Sequence, residues 1–291
     1  MLLADVAHFR QEAPVIKAGI KRLLRWDNRT PREKSAVLYR MRSLLATAIC
    51  LLPLPVWLLL RMFGSDKHRA GHHRYGWSYQ ELFRPLKYRR IKLLEIGVGG
   101  DANDIGGRSL LAWQAFFPFA VIVGVDYLPR GEVATRHTRF RRADQGSAED
   151  LAALCAEEGP FDIIIDDGSH LSRHQLFTFG HLFDALKDGG IYVIEDVHTS
   201  FWPDTLEVGG VRWDGADIDA AEFRQTCMGY FLELAKHLNY AEFARPSEPN
   251  AAWRIRRISF EHNLIIVRKG ANDGPSTLRV LQAAQSTMRS G

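Results

Sequence analysis

Two short stretches of this 291-residue chain carry paired acids beside a histidine: Ile165-Asp166-Asp167-Gly168-Ser169-His170 and Ile194-Glu195-Asp196-Val197-His198. Each acidic pair ends an apolar run. Carboxylates in such a place cost free energy unless they are paired or bound to a cation. If the two runs are neighbouring strands, their acids converge and repel until a metal neutralises them. An all-oxygen ligand set selects a hard cation, Mg²⁺ before Ca²⁺ or Mn²⁺. His170, three residues past Asp167, can sit beside that cation, and an imidazole suits a general base at neutral pH. Simpler roles compete. Asp166 can be a helix cap or a buried structural acid, His174 a packing or surface residue, and His198 a loop hydrogen-bonder.

A second group of residues points to a nucleoside-containing ligand. Glu95-Ile96-Gly97-Val98-Gly99-Gly100 ends another apolar run, where glycines let the backbone turn sharply and approach a ligand. Gly97-x-Gly99-x-x-Ala102 formally fits a dinucleotide fingerprint. Two details oppose a pyrophosphate. A polar loop, 101–107, precedes the next helix, whose expected N-cap is Ser109. That loop also carries Asp101 and Asp104. An acidic loop suits a positive centre such as the sulfonium of S-adenosylmethionine. Asp126, ending Val123-Gly124-Val125-Asp126, can accept hydrogen bonds from ribose hydroxyls of NAD or S-adenosylmethionine alike, or cap a helix. Asp144 and Gln145 fall where a further strand should end and are candidates for an adenine amino group.

These residues need strands to carry them. Apolar runs at 91–96, 120–125, 161–165 and 190–194 alternate with helical stretches at about 108–116, 147–157 and 173–187. Alternation of this kind predicts an α/β fold, a parallel sheet with helices on both faces. Such sheets bind ligands at the carboxyl ends of their strands, so the residues that end each run are the ones to inspect.

The N-terminal third differs in character. Residues 1–90 hold 18 basic and 6 acidic side chains, net +12, against net −8 for residues 91–291. Residues 5–42 read as amphipathic helix broken at Thr30-Pro31. Residues 43–60 carry no charge and are apolar all round, so they are expected to be buried on all sides. Eighteen residues reach roughly 27 Å as a helix, just short of a bilayer core, but Pro53 and Pro55 would kink it. Both flanks carry net +6, which gives no membrane orientation. A kinked hairpin dipping into an anionic membrane and a buried core or interface helix both fit. No nucleic-acid motif accompanies the charge, so nucleic acid is not an expected partner. Cys50, Cys155 and Cys227 are too few and too scattered for a disulfide scaffold. With no cleavable signal peptide expected, the predicted location is cytoplasmic, peripheral to the inner membrane face if residues 1–90 touch it.

Four ordered motifs carry a resemblance: Leu94-Glu95-Ile96-Gly97-Val98-Gly99-Gly100; Gly106-Gly107-Arg108-Ser109-Leu110 with Trp113; the 165–170 stretch; and 194–203, through Phe201-Trp202-Pro203. Together with Asp66-Lys67 upstream and 259–267 downstream, the chain resembles class I S-adenosylmethionine-dependent sugar O-methyltransferases of the macrocin and mycinamicin type, over about residues 65–270. The resemblance implies a Rossmann-like sheet closed by an antiparallel hairpin. It implies Mg²⁺ on Asp167, Glu195 and Asp196, with His170 as base. It places Glu95, Gly97 and Asp126 at the S-adenosylmethionine site, with Gly99, Ser109, Asp144 and Gln145 as further contacts from the reading above.

The implied reaction is methyl transfer to a sugar hydroxyl of a glycoside, glycolipid or antibiotic sugar. A non-sugar diol acceptor and a nicotinamide-dependent oxidoreductase or epimerase are the alternatives. Residues 1–64 form a basic extension outside the family pattern, which favours a lipid-linked acceptor. Residues 197–254, with Trp202, Trp213, Trp253 and a helix near 219–238, form an acceptor lid, and 271–291 a tail. A homo-oligomer is compatible with all of this.

Overall fold

The computed structural model describes residues 28–208, 210–243 and 254–289. Its centre is a seven-stranded sheet. The strands in chain order are β1 (Lys92–Ile96), β2 (Val121–Asp126), β3 (Thr138–Arg142), β4 (Phe161–Asp166) and β5 (Leu186–Glu195), then β8 (Ile255–Glu261) and β9 (Leu264–Lys269). The short hairpin β6 (Glu207–Val208) and β7 (Val211–Arg212) lies outside it. The spatial order is β3-β2-β1-β4-β5-β9-β8. The first five strands run parallel, and β9 pairs antiparallel with β5 and β8. Strand order reverses between β1 and β4, which opens a crevice at their carboxyl ends.

Both sheet faces are covered, so the central strands β1, β2, β4 and β9 are largely apolar without alternation, while the edge strands β3 and β8 are polar. In β4, Ile163 and Ile165 pack into a cluster with Trp113, Phe63 and Tyr79. Ile164 between them faces the opposite cluster, with Leu154, Phe179 and Phe231. The first face is built by α1 (Pro31–Ile49), α2 (Val56–Phe63), α3 (Gly76–Phe83) and α4 (Arg108–Phe116). The second is built by α5 (Ala148–Glu158), α6 (Ser172–Leu182) and α7 (Cys227–Lys236). The first three expected strands and the helices at 108–116 and 147–157 appear within about two residues, while the fourth strand, expected at 190–194, begins earlier, at Leu186. The third helix ends at Leu182 rather than 187, because the chain turns there and Leu186 already pairs with Phe161 in the sheet.

The N-terminal region breaks where expected, at Thr30-Pro31 and around Pro53 and Pro55, but departs from expectation in its burial. Thr30 and Pro31 start a helix: Thr30 caps α1 with a reciprocal Glu33 bond, and Pro31 occupies the first turn. Residues 5–27 lie outside the described residues. The apolar stretch 43–60 is not one helix buried on all sides. α1 stops at Ile49, Pro55 precedes α2, and Gly64 closes α2 in a left-handed conformation (φ 78°). One face of α1 is buried through Tyr39, Ser43 and Ala46, and Gln114 of α4 satisfies Ser43 and Thr47. The other face leaves Leu44 74% exposed with Met41 and Leu45 beside it, and the turn after α1 leaves Leu51 64% exposed next to Leu52. Among the described residues no helix is long and apolar enough to cross a membrane.

The 197–254 insert contains the β6–β7 hairpin, short helical turns and α7. The helix near 219–238 is confined to Cys227–Lys236, and its Phe231 is buried against Phe179, so α7 packs under the sheet rather than over the strand ends. Trp253 lies outside the described residues. In the 271–291 tail, α8 (Thr277–Arg289) is largely exposed and is capped by Glu242, which accepts from the Thr277 and Leu278 amides. Cys50, Cys155 and Cys227 are free thiols.

Candidate active site

A cavity of about 610 Å³ opens at the carboxyl ends of β1, β2, β4 and β5. Gly97, Gly99, Asp126, Asp144, Gln145, Asp167, His170 and Asp196 all line it. At the β1 end the backbone has no room for a side chain. Gly97 has φ 83°, and a Cβ there would meet the Asp167 carbonyl oxygen at 2.0 Å. Gly99 is also left-handed (φ 68°), but nothing lies within 4 Å of its Cβ position, so its backbone can approach a ligand. Asp126 takes the Val98 and Leu128 amides at 3.3 and 2.9 Å and still borders the cavity. Arg130, from the loop after β2, fixes the glycine loop by donating to the carbonyls of Gly100 and Asp101 at 3.0 Å.

Acids and histidines gather at one side. Asp167, His170 and Asp196 each place a ligand atom within 4.8 Å of the others. Two of the three adopt left-handed backbone, His170 at φ 58° and Asp196 at φ 55°. Such conformations cost free energy in residues with a Cβ and persist where the surroundings enforce them. Here the Thr199 hydroxyl grips the His170 carbonyl at 2.6 Å. His170 Nε2 lies 3.7 Å from Asp196 Oδ2. Asp196 Oδ1 accepts from Tyr75 and faces His73 Nδ1 at 3.5 Å and His198 Nδ1 at 3.9 Å. Burial pushes the Asp196 carboxyl up, but His170, Tyr75, His73 and His198 outweigh it and hold it below the usual range.

Behind this group lies a buried ion-pair cluster. Lys67, 2% exposed, donates to Asp167 Oδ2 and Glu195 Oε1 and stands 3.2 Å from Glu95 Oε1. Burial opposes its charge, yet three carboxylates hold its pKa well above the ordinary lysine value. Glu195 also accepts from Tyr79. Burial and then repulsion from Asp167 drive the Glu195 carboxyl well upward, and burial also raises those of Glu95 and Asp167. Asp166 is more isolated, and burial pushes it up to about 7.

This arrangement fits a divalent cation. Three carboxylates (Glu95, Asp167 and Glu195) face one fixed cation, Lys67, and Asp196 stands beside them among three histidines, so negative groups outnumber the fixed cation at low dielectric. In Asp167, Asp196 and Glu195 the protein donors grip one oxygen each, Oδ2, Oδ1 and Oε1 in turn. Those donors leave the second oxygen of each acid without a hydrogen bond among the described residues, with His170 Nε2 3.7 Å from that of Asp196.

No family model matches the chain. The 8-demethyl-8-alpha-L-rhamnosyl tetracenomycin-C 2'-O-methyltransferase of Streptomyces olivaceus is 35% identical over 226 residues, 76% of this chain and 56% of that protein. The mycinamicin VI 2''-O-methyltransferase of Micromonospora griseorubida is 35% identical over 207 residues, 69% of this chain and 49% of that protein. The solved MycE methyltransferase from the mycinamycin biosynthetic pathway, in complex with Mg, SAH and mycinamycin VI, aligns with a TM-score of 0.67 at 32% identity. That match covers 77% of this chain and 57% of MycE. The chain belongs to this family of sugar O-methyltransferases. It spans about half the length of the curated relatives it matches. Its sheet is the class I methyltransferase sheet, mostly parallel and closed by an antiparallel hairpin.

Within that family sheet several expected contacts sit elsewhere. Glu95 does not line the cavity; it is fully buried, held by the Trp113 indole at 2.8 Å and by Lys67. Ser109 is not the N-cap of α4. Gly107, left-handed at φ 72°, holds that position without a side-chain bond, and Ser109 lies inside the first turn beneath Glu95. Glu195 is outside the 4.8 Å group of Asp167, His170 and Asp196, because its Oε1 turns to Lys67 and Tyr79. Gln145 spends its amide within the protein, accepting from the Ser169 amide at 2.6 Å and donating to Asp166 and Thr178. Asp101 and Asp104, expected to face a positive centre, instead shape their own loop. Asp101 takes two loop amides, and Asp104 takes Ser35, Arg108 and the Gly106 amide. His174 packs on Ser169 Oγ at 2.9 Å.

Lys67, Tyr75, Tyr79, His73 and Arg130 carry roles that no local pattern signalled. Lys67 and Asp167 are 100 residues apart, and only the folded topology joins them. The nearest signal was the Asp66-Lys67 pair upstream of the sheet.

Proposed function

We propose that the chain transfers a methyl group from S-adenosylmethionine to a hydroxyl of a sugar moiety, with Mg²⁺ held by Asp167, Glu195 and Asp196 and His170 as general base. The observation that carries this reading is the convergence of Asp167, His170 and Asp196 within 4.8 Å at the wall of the glycine-lined cavity. The relatives named above act on sugars of polyketide glycosides, and MycE contains Mg and SAH.

S-adenosylmethionine supplies the electrophilic methyl, and Mg²⁺ supplies Lewis acidity that lowers the pKa of a sugar hydroxyl. Gly97 and Gly99 bring backbone to the nucleoside moiety, and Asp126 offers carboxylate oxygen toward its ribose. His170 takes the hydroxyl proton on Nε2 as the oxygen–methyl bond forms and the sulfur–methyl bond breaks. Asp196, 3.7 Å from that nitrogen, stabilises the resulting imidazolium. Fixed geometry supplies much of the remaining rate, because alignment of oxygen, methyl and sulfur removes the entropic cost of their encounter.

The acceptor is a sugar-bearing small molecule or lipid-linked sugar, covered by part of residues 197–254. Val211 of the β6–β7 hairpin borders the cavity, and Trp202 and Trp213 meet edge to face at 4.8 Å on from His198. For residues 1–90 the proposed contact is an anionic membrane surface. Its support is the net +12 charge together with the exposed leucines of α1. The reaction is tested by S-adenosylhomocysteine release with rhamnosylated polyketide acceptors, with Mg²⁺ and with chelator.

A further inference from the structure

The segment 65–79 touches every acid assigned to the cation site. Lys67 reaches Asp167 and Glu195, Tyr75 reaches Asp196, and Tyr79 reaches Glu195. Tyr75 and Tyr79 are one helical turn apart at the start of α3, so their hydroxyls project from the same face. Lys67 is the buried member of this set. Its ammonium bridges the end of β1 (Glu95), the loop after β4 (Asp167) and the end of β5 (Glu195). A buried ammonium with three carboxylate partners has nowhere else to go, and each carboxylate it holds loses rotational freedom.

We propose that Lys67 is a positioning residue for the divalent-cation site, holding one oxygen of Asp167 and one of Glu195 so that the remaining oxygens of the acidic set face a single cation. This rests on the Mg²⁺ reading above. Charge alone argues for the opposite outcome: a fixed ammonium beside a cation site repels the cation, and its removal should tighten binding. Positional support argues that its removal loosens binding, as loss of outer partners does at metal sites, typically by about 10–100-fold. The geometry favours support, because the ammonium takes one carboxylate oxygen from each of two acids on different strand ends.

The test is Mn²⁺ titration of the full chain, followed by the paramagnetic resonance signal of free Mn²⁺. It compares wild type, Lys67→Met and the double variant Lys67→Met/Glu95→Gln. The double variant removes one positive and one negative group, so the cluster keeps its net charge and avoids an added buried carboxylate. We expect Mn²⁺ affinity to fall about 10–100-fold in both variants, with S-adenosylhomocysteine binding retained in the double variant. Wild-type affinity in the double variant, or tighter binding in either, overturns the positioning role. A double variant that no longer unfolds cooperatively assigns Lys67 to folding and also overturns it. If wild type itself binds no Mn²⁺, the cation reading fails first, which distinguishes that failure from a failure of Lys67.

Discussion

Lys67 lies 2.7 Å from the Glu195 carboxylate, although 128 residues separate them in the chain. The contact joins the segment before the sheet to the end of its fifth strand. An acidic pair that the sequence displays as a strand terminus is therefore half of a cluster whose cation comes from elsewhere. Asp167, on the loop after β4, completes the link between that cluster and the cavity.

His170 is the group best placed to accept a proton. Replacing it with Ala should lower turnover by about 10²–10⁴-fold, the usual share of a general base. S-adenosylhomocysteine affinity measured by calorimetry should stay unchanged, and so should Mn²⁺ affinity. Loss of Mn²⁺ binding in His170→Ala would make the imidazole a metal ligand instead. Near-normal methylation would remove it from the reaction.

Asp196→Asn and Glu195→Gln should each weaken Mn²⁺ binding by at least about tenfold, a loss in line with other groups at metal sites. Both substitutions keep the shape of the side chain, and an amide oxygen can still accept from Tyr75 or Tyr79. Unchanged affinity in Glu195→Gln would restrict that residue to its Lys67 and Tyr79 contacts.

Gly97→Ala places a Cβ 2.0 Å from the Asp167 carbonyl in a left-handed residue. The two penalties together are about 2–5 kcal/mol. Gly99→Ala meets nothing within 4 Å and carries only the conformational penalty, about 1–2 kcal/mol. Thermal unfolding should rank the variants in that order. Equal transition temperatures would contradict the packing between the β1 and β4 loops.

Leu44 and Leu51 offer a test of the N-terminal region, being 74% and 64% exposed. The full chain should co-sediment with anionic phospholipid vesicles, and Leu44→Glu/Leu51→Glu should release it while cofactor affinity is kept. Equal vesicle binding by both proteins, or none by wild type, contradicts a membrane role for that face.

Legibility varied with distance along the chain. Apolar runs ending in Gly97, Asp126, Asp167 and Asp196 revealed the strands and their carboxyl ends, because a sheet covered on both faces writes itself as local hydrophobicity. The hydrogen-bonding partner of each acid is not local. Glu95 looked like a ligand contact because it ends a strand beside glycines, but Trp113 and Lys67 bury it. Asp104 looked like a free loop charge, but Ser35 of α1 reaches it across 69 residues. The stretch 43–60, kinked at its prolines, reads as buried on all sides because composition cannot tell a one-sided helix from an enclosed one when both sides are apolar. The turn after Ile49 divides it and leaves its leucines on the outside.

The central claim is methyl transfer to a sugar hydroxyl at the Asp167–His170–Asp196 group. Its most direct measurement is S-adenosylhomocysteine formed from S-adenosylmethionine by the full chain with a rhamnosylated polyketide acceptor, alongside mass spectrometry of the acceptor. The expected product is one methyl heavier, formed with Mg²⁺, abolished by chelator and formed about 10²–10⁴-fold more slowly in His170→Ala. Methylation that persists at the wild-type rate in chelator and in His170→Ala would contradict the claim, as would a methyl group located on the aglycone rather than on the sugar.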